Sequence, residues 1–190
     1  MIRVRLAVSI LACALLAAPG AAAPPAALVT IGTGATLSAW KAVPADGVSL
    51  ALASDNGGRA LRLDFDFHGG GGYAVAHRAV SLDMPANYRF TFRLRGECMP
   101  NNFEFKLLDQ SGENVWWRNQ RNVEFAPLGR AMTLKKRNIS FAWGPLGGGE
   151  PKHIAGLEFA ITAGQGGKGT VWIEDLRFEP LPPADSAGFV

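Results

Sequence analysis

The chain has 190 residues, 48% hydrophobic and 18% charged, with 19 Lys and Arg against 16 Asp and Glu. Residues 1–23 hold two of the arginines and no acid, so the remainder is near neutral, at 17 basic and 16 acidic side chains, which removes the electrostatic case for nucleic acid as a partner. That remainder has one cysteine, Cys98, which excludes an internal disulfide, and its roughly 167 residues suffice for one domain that buries about 70% of its unfolded surface without staples.

Residues 1–23 predict a signal peptide. Arg3 and Arg5 form a basic start, 6–18 an apolar run, and Ala21, Ala22 and Ala23 a small-residue cleavage site. The run is too short and too rich in alanine for a membrane span, so the protein is expected to be secreted or periplasmic. Residues 24–36 are small and weakly patterned and read as a flexible leader, and residues 37–40 as a first edge strand.

From there to residue 181 the chain alternates with period two. Leu61, Leu63, Phe65 and Phe67 alternate with Arg62, Asp64, Asp66 and His68; Tyr88, Phe90, Phe92 and Leu94 with Arg89, Thr91, Arg93 and Arg95; and Leu157, Phe159 and Ile161 form a third apolar set. Turn residues bound each run: 54–58, 69–72, 83–87 and 164–169. Eight to ten short strands without a convincing helix mean an all-β domain, an antiparallel β-sandwich of jelly-roll type, over 37–181. Residues 182–190 read as a tail or the start of a linker.

The stretch 102–118 is the most informative. Phe103, Phe105 and Leu107 point one way and Glu104 and Lys106 the other, Asp109 to Gly112 supplies a turn, and Val115, Trp116 and Trp117 favour strand again. This predicts a hairpin. Neighbouring tryptophans on a strand face opposite sides, so one fills the core and the other joins Glu104 and Lys106. Val115 in the core would take Trp117 with it and turn Trp116 outward, which is the expected orientation. A flat ring beside charged hydrogen-bonding groups is what a sugar ring needs, and the platform is expected to comprise Glu104, Lys106, Trp116 or Trp117, Arg93 from the preceding strand and Trp143 from a closing loop.

No catalytic pattern emerges. His68, His77 and His153 lack metal-ligand spacing, and no G-x-S-x-G elbow is present. Residues 164–169 match G-x-G-x-x-G, yet strand-forming Thr-Val-Trp-Ile follows instead of a helix, so a hairpin loop is the reading. Asp64, Asp66, Glu104 and Glu174 are not paired by spacing as the acids of a lyase or hydrolase. Glu174 and Asp175 interrupt the last strand and predict a bulge, where Asp175 reads either as an oxygen ligand of a structural Ca²⁺ or as a surface ion-pair partner.

Together, 60–67, 103–109, 114–117, 141–145 and 169–176 resemble galactose-binding-domain-like jelly rolls. The nearest likeness is to the N-terminal domain of secreted bacterial proteins that also carry discoidin (coagulation factor 5/8 type) domains, and more loosely to jelly-roll carbohydrate-binding modules. The resemblance spans 40–181. It implies a non-catalytic module that binds a polysaccharide or glycan, with neighbouring domains as further partners. It also implies a Ca²⁺ held between an acid near the N-terminus and an Asp of the last strand; Asp175 fits the latter, whereas 29–38 holds no acid. The competing expectation is a structural β-sandwich that packs on a catalytic or discoidin-type neighbour.

Overall fold

The structure is a computed structural model describing residues 28–32 and 34–183; the expected signal peptide and residues 184–190 lie outside the described residues. In chain order the strands are β1 Val29–Thr30, β2 Trp40–Pro44, β3 Ser49–Asp55, β4 Ala60–Asp66, β5 Tyr73–Asp83, β6 Tyr88–Glu97, β7 Asn101–Leu108, β8 Val115–Val123, β9 Arg130–Lys135, β10 Ser140–Trp143, β11 His153–Thr162 and β12 Lys168–Pro180. They form two antiparallel sheets. One, the β6 sheet, runs β3-β4-β12-β6-β9 with β1 also on β12; the other, the β7 sheet, runs β10-β8-β7-β11-β5-β2. No helix among the described residues is long and apolar enough to cross a membrane.

The period-two pattern causes this arrangement: each strand has one apolar face, and two such faces exclude water by closing on each other. Phe90 and Phe92 of the β6 sheet meet Phe105 and Phe159 of the β7 sheet, with ring centroids 4.9 Å apart for Phe90 and Phe105 and 5.2 Å for Phe92 and Phe159. Trp40 stacks on Phe159 from the edge strand. The inward sets read from the sequence are buried throughout, Leu61, Leu63, Phe105, Leu107, Phe159 and Ile161 completely.

Two expectations at the N-terminal end are corrected. Part of the expected leader belongs to the fold: Val29 and Thr30 pair with Phe178 and Arg177, and Ile31 is buried in the core. The expected strand at 37–40 is instead 3-10 turn over Gly34–Ala39, and the edge strand starts at Trp40. A glycine is required at 34, since a Cβ there would lie 2.1 Å from the Ala60 carbonyl oxygen; close approach, not alternation, sets the local backbone.

The bulge in the last strand is present. Its register shifts between Glu174 and Arg177, and Asp175 takes φ of +52°. Before it, β12 pairs with β4; beyond it, with β1. The 164–169 loop joins strands, as expected, and its amides are spent internally: buried Asn101 accepts at Oδ1 from the N–H groups of Gly164 (2.8 Å) and Gly166 (2.9 Å).

Candidate functional site

The hairpin β7–β8 turns its charged face away from the core, with Glu104 and Lys106 largely covered on the outer side. Its turn is tied by Asp109, whose Oδ1 accepts from the Ser111 and Gly112 N–H groups (3.1 Å each) and from Ser111 Oγ (2.7 Å). Burial pushes the Asp109 carboxyl up, but the hydrogen bonds from Ser111, Asn114 and Gly112 outweigh it and hold the group below its ordinary value. Asn114 donates from Nδ2 to Asp109 Oδ2 (2.7 Å) and accepts at Oδ1 from the Leu146 N–H (2.9 Å). It thereby joins the hairpin to the loop after β10. That loop passes so close that a Cβ at Gly144 would lie 2.4 Å from Asn114 Oδ1. Trp143, one residue earlier, is set by this knot.

Trp117 is the outward ring of the pair, which corrects the expected orientation. Trp116 is 2% exposed, packs edge-on against Phe141 and donates from Nε1 to the Gly149 carbonyl (2.7 Å). Val115 is indeed buried, yet outside the main core cluster: it stands opposite Leu108 and Trp143 on the outer face, under the end of β10. Burial of Val115 therefore came from a neighbouring strand and gave no measure of where the core lay.

Trp117 and Trp143 meet edge to face, with centroids 5.3 Å apart and planes at 84°. Trp143 is 46% exposed. Below them Lys106 Nζ lies 5.7 Å from the Trp143 centroid, 3.0 Å from Glu104 Oε2 and 3.9 Å from Glu158 Oε2. Glu158 Oε1 in turn lies 3.1 Å from His77 Nδ1. The register explains this line of charges: Trp117, Lys106, Glu158, His77 and Lys41 are successive cross-strand partners over five strands. With Val43, Tyr73, Val75 and Thr162, the two rings and Glu104, Lys106 and Glu158 line a groove of about 440 Å³.

The structure thus brings Glu104, Lys106, Trp117 and Trp143 together and leaves Trp116 and Arg93 out. Arg93 belongs to β6, in the opposite sheet, where it lies 3.9 Å from Glu174 and donates to the Leu128 carbonyl. Alternation put it outward correctly but does not say from which sheet. Tyr73 and Glu158 were missed. Glu158 is the outward residue between Leu157 and Phe159, so its face was readable; that β11 lies beside β7 is long-range pairing that no local pattern carries.

Asp175 meets a guanidinium. Arg59 donates to it from Nε (3.3 Å) and NH2 (2.6 Å), and these hydrogen bonds hold the carboxyl below its ordinary value. No group of three His, Cys, Asp or Glu side chains placed to hold a metal occurs among the described residues. The Arg59 guanidinium thus occupies the carboxylate that a Ca²⁺, an ion needing several oxygens and no competing cation, would take.

A larger recess of about 660 Å³ lies on the outer face of the β6 sheet, lined by Ser49, Asp64, Asp66, Glu97, Lys168 and Thr170 among others. It offers no open aromatic face. Trp172, on the same side, is 8% exposed beneath the Arg95 guanidinium, 3.6 Å from its centroid. Asp64 already accepts from Arg62 (2.9 Å) and Thr170 (2.8 Å). At its rim Ser49 Oγ lies 2.7 Å from His68 Nε2, but Asp66 is 3.7 Å from His68 Nδ1, beyond hydrogen-bonding distance, so the trio lacks the oriented base of a hydrolytic triad.

No family model matches the chain, and no curated protein matches it. Solved structures do. A family 11 carbohydrate-binding module of a cellulosomal cellulase from Clostridium thermocellum superposes with a TM-score of 0.62 at 12% identity, covering 82% of this chain and 95% of that one. A family 11 module from the same organism, in complex with a β-1,3-1,4-mixed-linked tetrasaccharide, gives 0.55 at 14% identity, covering 74% and 88%. An exo-β-agarase gives 0.55 at 14% identity, with 83% of this chain matching 25% of the enzyme. With its two antiparallel sheets, the chain has the jelly-roll fold of carbohydrate-binding modules.

Proposed function

We propose that the protein binds a polysaccharide or glycan on the outer face of the β7 sheet, as a secreted, non-catalytic module. The observation that carries this reading is the open corner of Trp117 and Trp143 beside the Glu104–Lys106–Glu158 floor. An indole face covers the apolar C–H side of a sugar ring while neighbouring charged groups take its hydroxyls, and a concave groove combining both is the usual form of a small-ligand site. The fold it shares with a module carrying a bound tetrasaccharide supports the same reading.

A non-catalytic role is supported by the placement of the acids. Glu104 and Glu158 stand on adjacent strands of one floor with Lys106 between them. Glycoside hydrolysis instead needs two carboxyl groups that flank the scissile bond from opposite sides. Export rests on residues 1–23, and neighbouring domains remain proposed partners. Affinity electrophoresis through gels that hold single polysaccharides tests the proposal: the protein is retarded on at least one, and Trp143→Ala abolishes the retardation without lowering the melting temperature. Free migration on every gel would leave the structural-module reading in its place.

A further inference from the structure

Resting on that reading, we infer that the groove selects an uncharged glycan, with Glu104 and Glu158, not Lys106, as the groups that decide specificity. The charged lining is two carboxylates and one ammonium; Tyr73 and Thr162 add hydroxyls and the rest is apolar or indole. The ammonium is already engaged. Its nitrogen lies 3.0 Å from Glu104 Oε2, within hydrogen-bonding distance, 3.9 Å from Glu158 Oε2 and 5.7 Å from the Trp143 centroid, so its charge is already balanced by two carboxylates.

Acceptors are in surplus. Each carboxylate oxygen takes more than one hydrogen bond, so Glu104 and Glu158 keep capacity after meeting Lys106 and His77. A surplus of acceptors in a partly dry groove calls for a ligand rich in donors, which the hydroxyls of a neutral sugar supply. A uronate or sulfate would add an anion beside two carboxylates with no unpaired cation in the lining to meet it. The remaining cation of the row, Lys41, is exposed and stands beyond His77, outside the groove lining.

The test compares neutral gels (mixed-linkage β-glucan, xylan, agarose) with acidic ones (polygalacturonate, alginate, carrageenan) at low salt. Retardation on a neutral gel and on none of the acidic gels is expected. Glu158→Gln and Glu104→Gln should each weaken neutral binding about tenfold, because a charge-assisted hydrogen bond becomes an ordinary one. The melting temperature reports whether each variant folds; if Glu104→Gln does not, Glu158→Gln decides alone, since its carboxylate is farther from Lys106. Retardation of the native protein on an acidic gel, fading as salt is added, overturns the inference while glycan binding stands. Undiminished neutral affinity in the folded glutamine variants overturns the assignment of the acceptors. Free migration on all six gels removes the binding reading and this inference with it.

Discussion

Trp116 and Trp143 differ in what their rings cover, and their truncation should separate accordingly. Trp116→Ala removes a 2% exposed ring and its hydrogen bond to the Gly149 carbonyl, so a loss of about 3–5 kcal/mol in denaturant unfolding is expected, chiefly from the cavity left behind. Trp143→Ala removes a ring that is half in solvent and should shift stability by under about 1 kcal/mol. Equal losses from the two would mean that the rings had been assigned to the wrong faces. Phe105→Ala, a core ring on the same hairpin packed against Phe90 and Phe159, should cost about 3–5 kcal/mol like Trp116→Ala. That Trp117, beside Trp143, is the open ring and Trp116 the closed one is a matter of parity, which the sequence stated as a choice and not as an answer: adjacent tryptophans had to face apart, but Val115 is buried on the outer side, by β10, and so pointed to the wrong partner.

Within the hairpin, Asn114 connects three pieces of chain, and its loss is felt by all of them. Asn114→Ala leaves the Leu146 N–H and Asp109 Oδ2 each short of a partner, and a cost of about 1–3 kcal/mol is expected in unfolding experiments. Because the loop after Trp143 would lose its anchor, glycan binding should weaken as well; unchanged affinity in a destabilised Asn114→Ala would detach the knot from the site. The elements themselves were largely legible beforehand. Period two with turn residues at each end marks β4, β6, β7 and β11, and the doublet Glu174-Asp175 marked the bulge in β12, because both signals are local. What was not legible is neighbourhood. Arg93 and Lys106 carry the same outward signature, and only the sheet order places one on each side of the molecule; Glu158 joins the groove through pairing between residues about fifty positions apart. Residues 37–39 were misread as strand because the close packing of Gly34 under Ala60 sets the backbone of that turn and overrides propensity there.

For the molecule as a whole, the titration of its bonded aspartates sets the acid limit. Asp55, Asp109 and Asp175 are each held below their ordinary value: Asp55 chiefly by the Trp172 indole, Asp175 by Arg59, and Asp109 by its turn hydrogen bonds against the opposing effect of burial. A carboxyl whose value is lower folded than unfolded adds stability above its unfolded value, and that contribution is lost as pH falls through the folded one. The melting temperature should therefore vary little from neutral pH down to about pH 5 and decline below about pH 4. Since Arg59 supplies the cation at Asp175, a chelator should leave the melt unchanged; a lowered melting temperature restored by Ca²⁺ would mean that oxygen ligands gather there after all. The two outer faces of the sandwich carry opposite fates for an aromatic ring: Trp172 is capped by Arg95, whereas Trp117 and Trp143 stand open over Lys106. Nuclear magnetic resonance of the tryptophan indole N–H groups reads this difference directly, through a titration with a soluble oligosaccharide cut from whichever neutral polysaccharide retards the protein. The signals of Trp117 and Trp143 are expected to move while those of Trp40, Trp116 and Trp172 stay in place. Movement of Trp172 alone, or of none of the five, would contradict a glycan site on the β7 sheet.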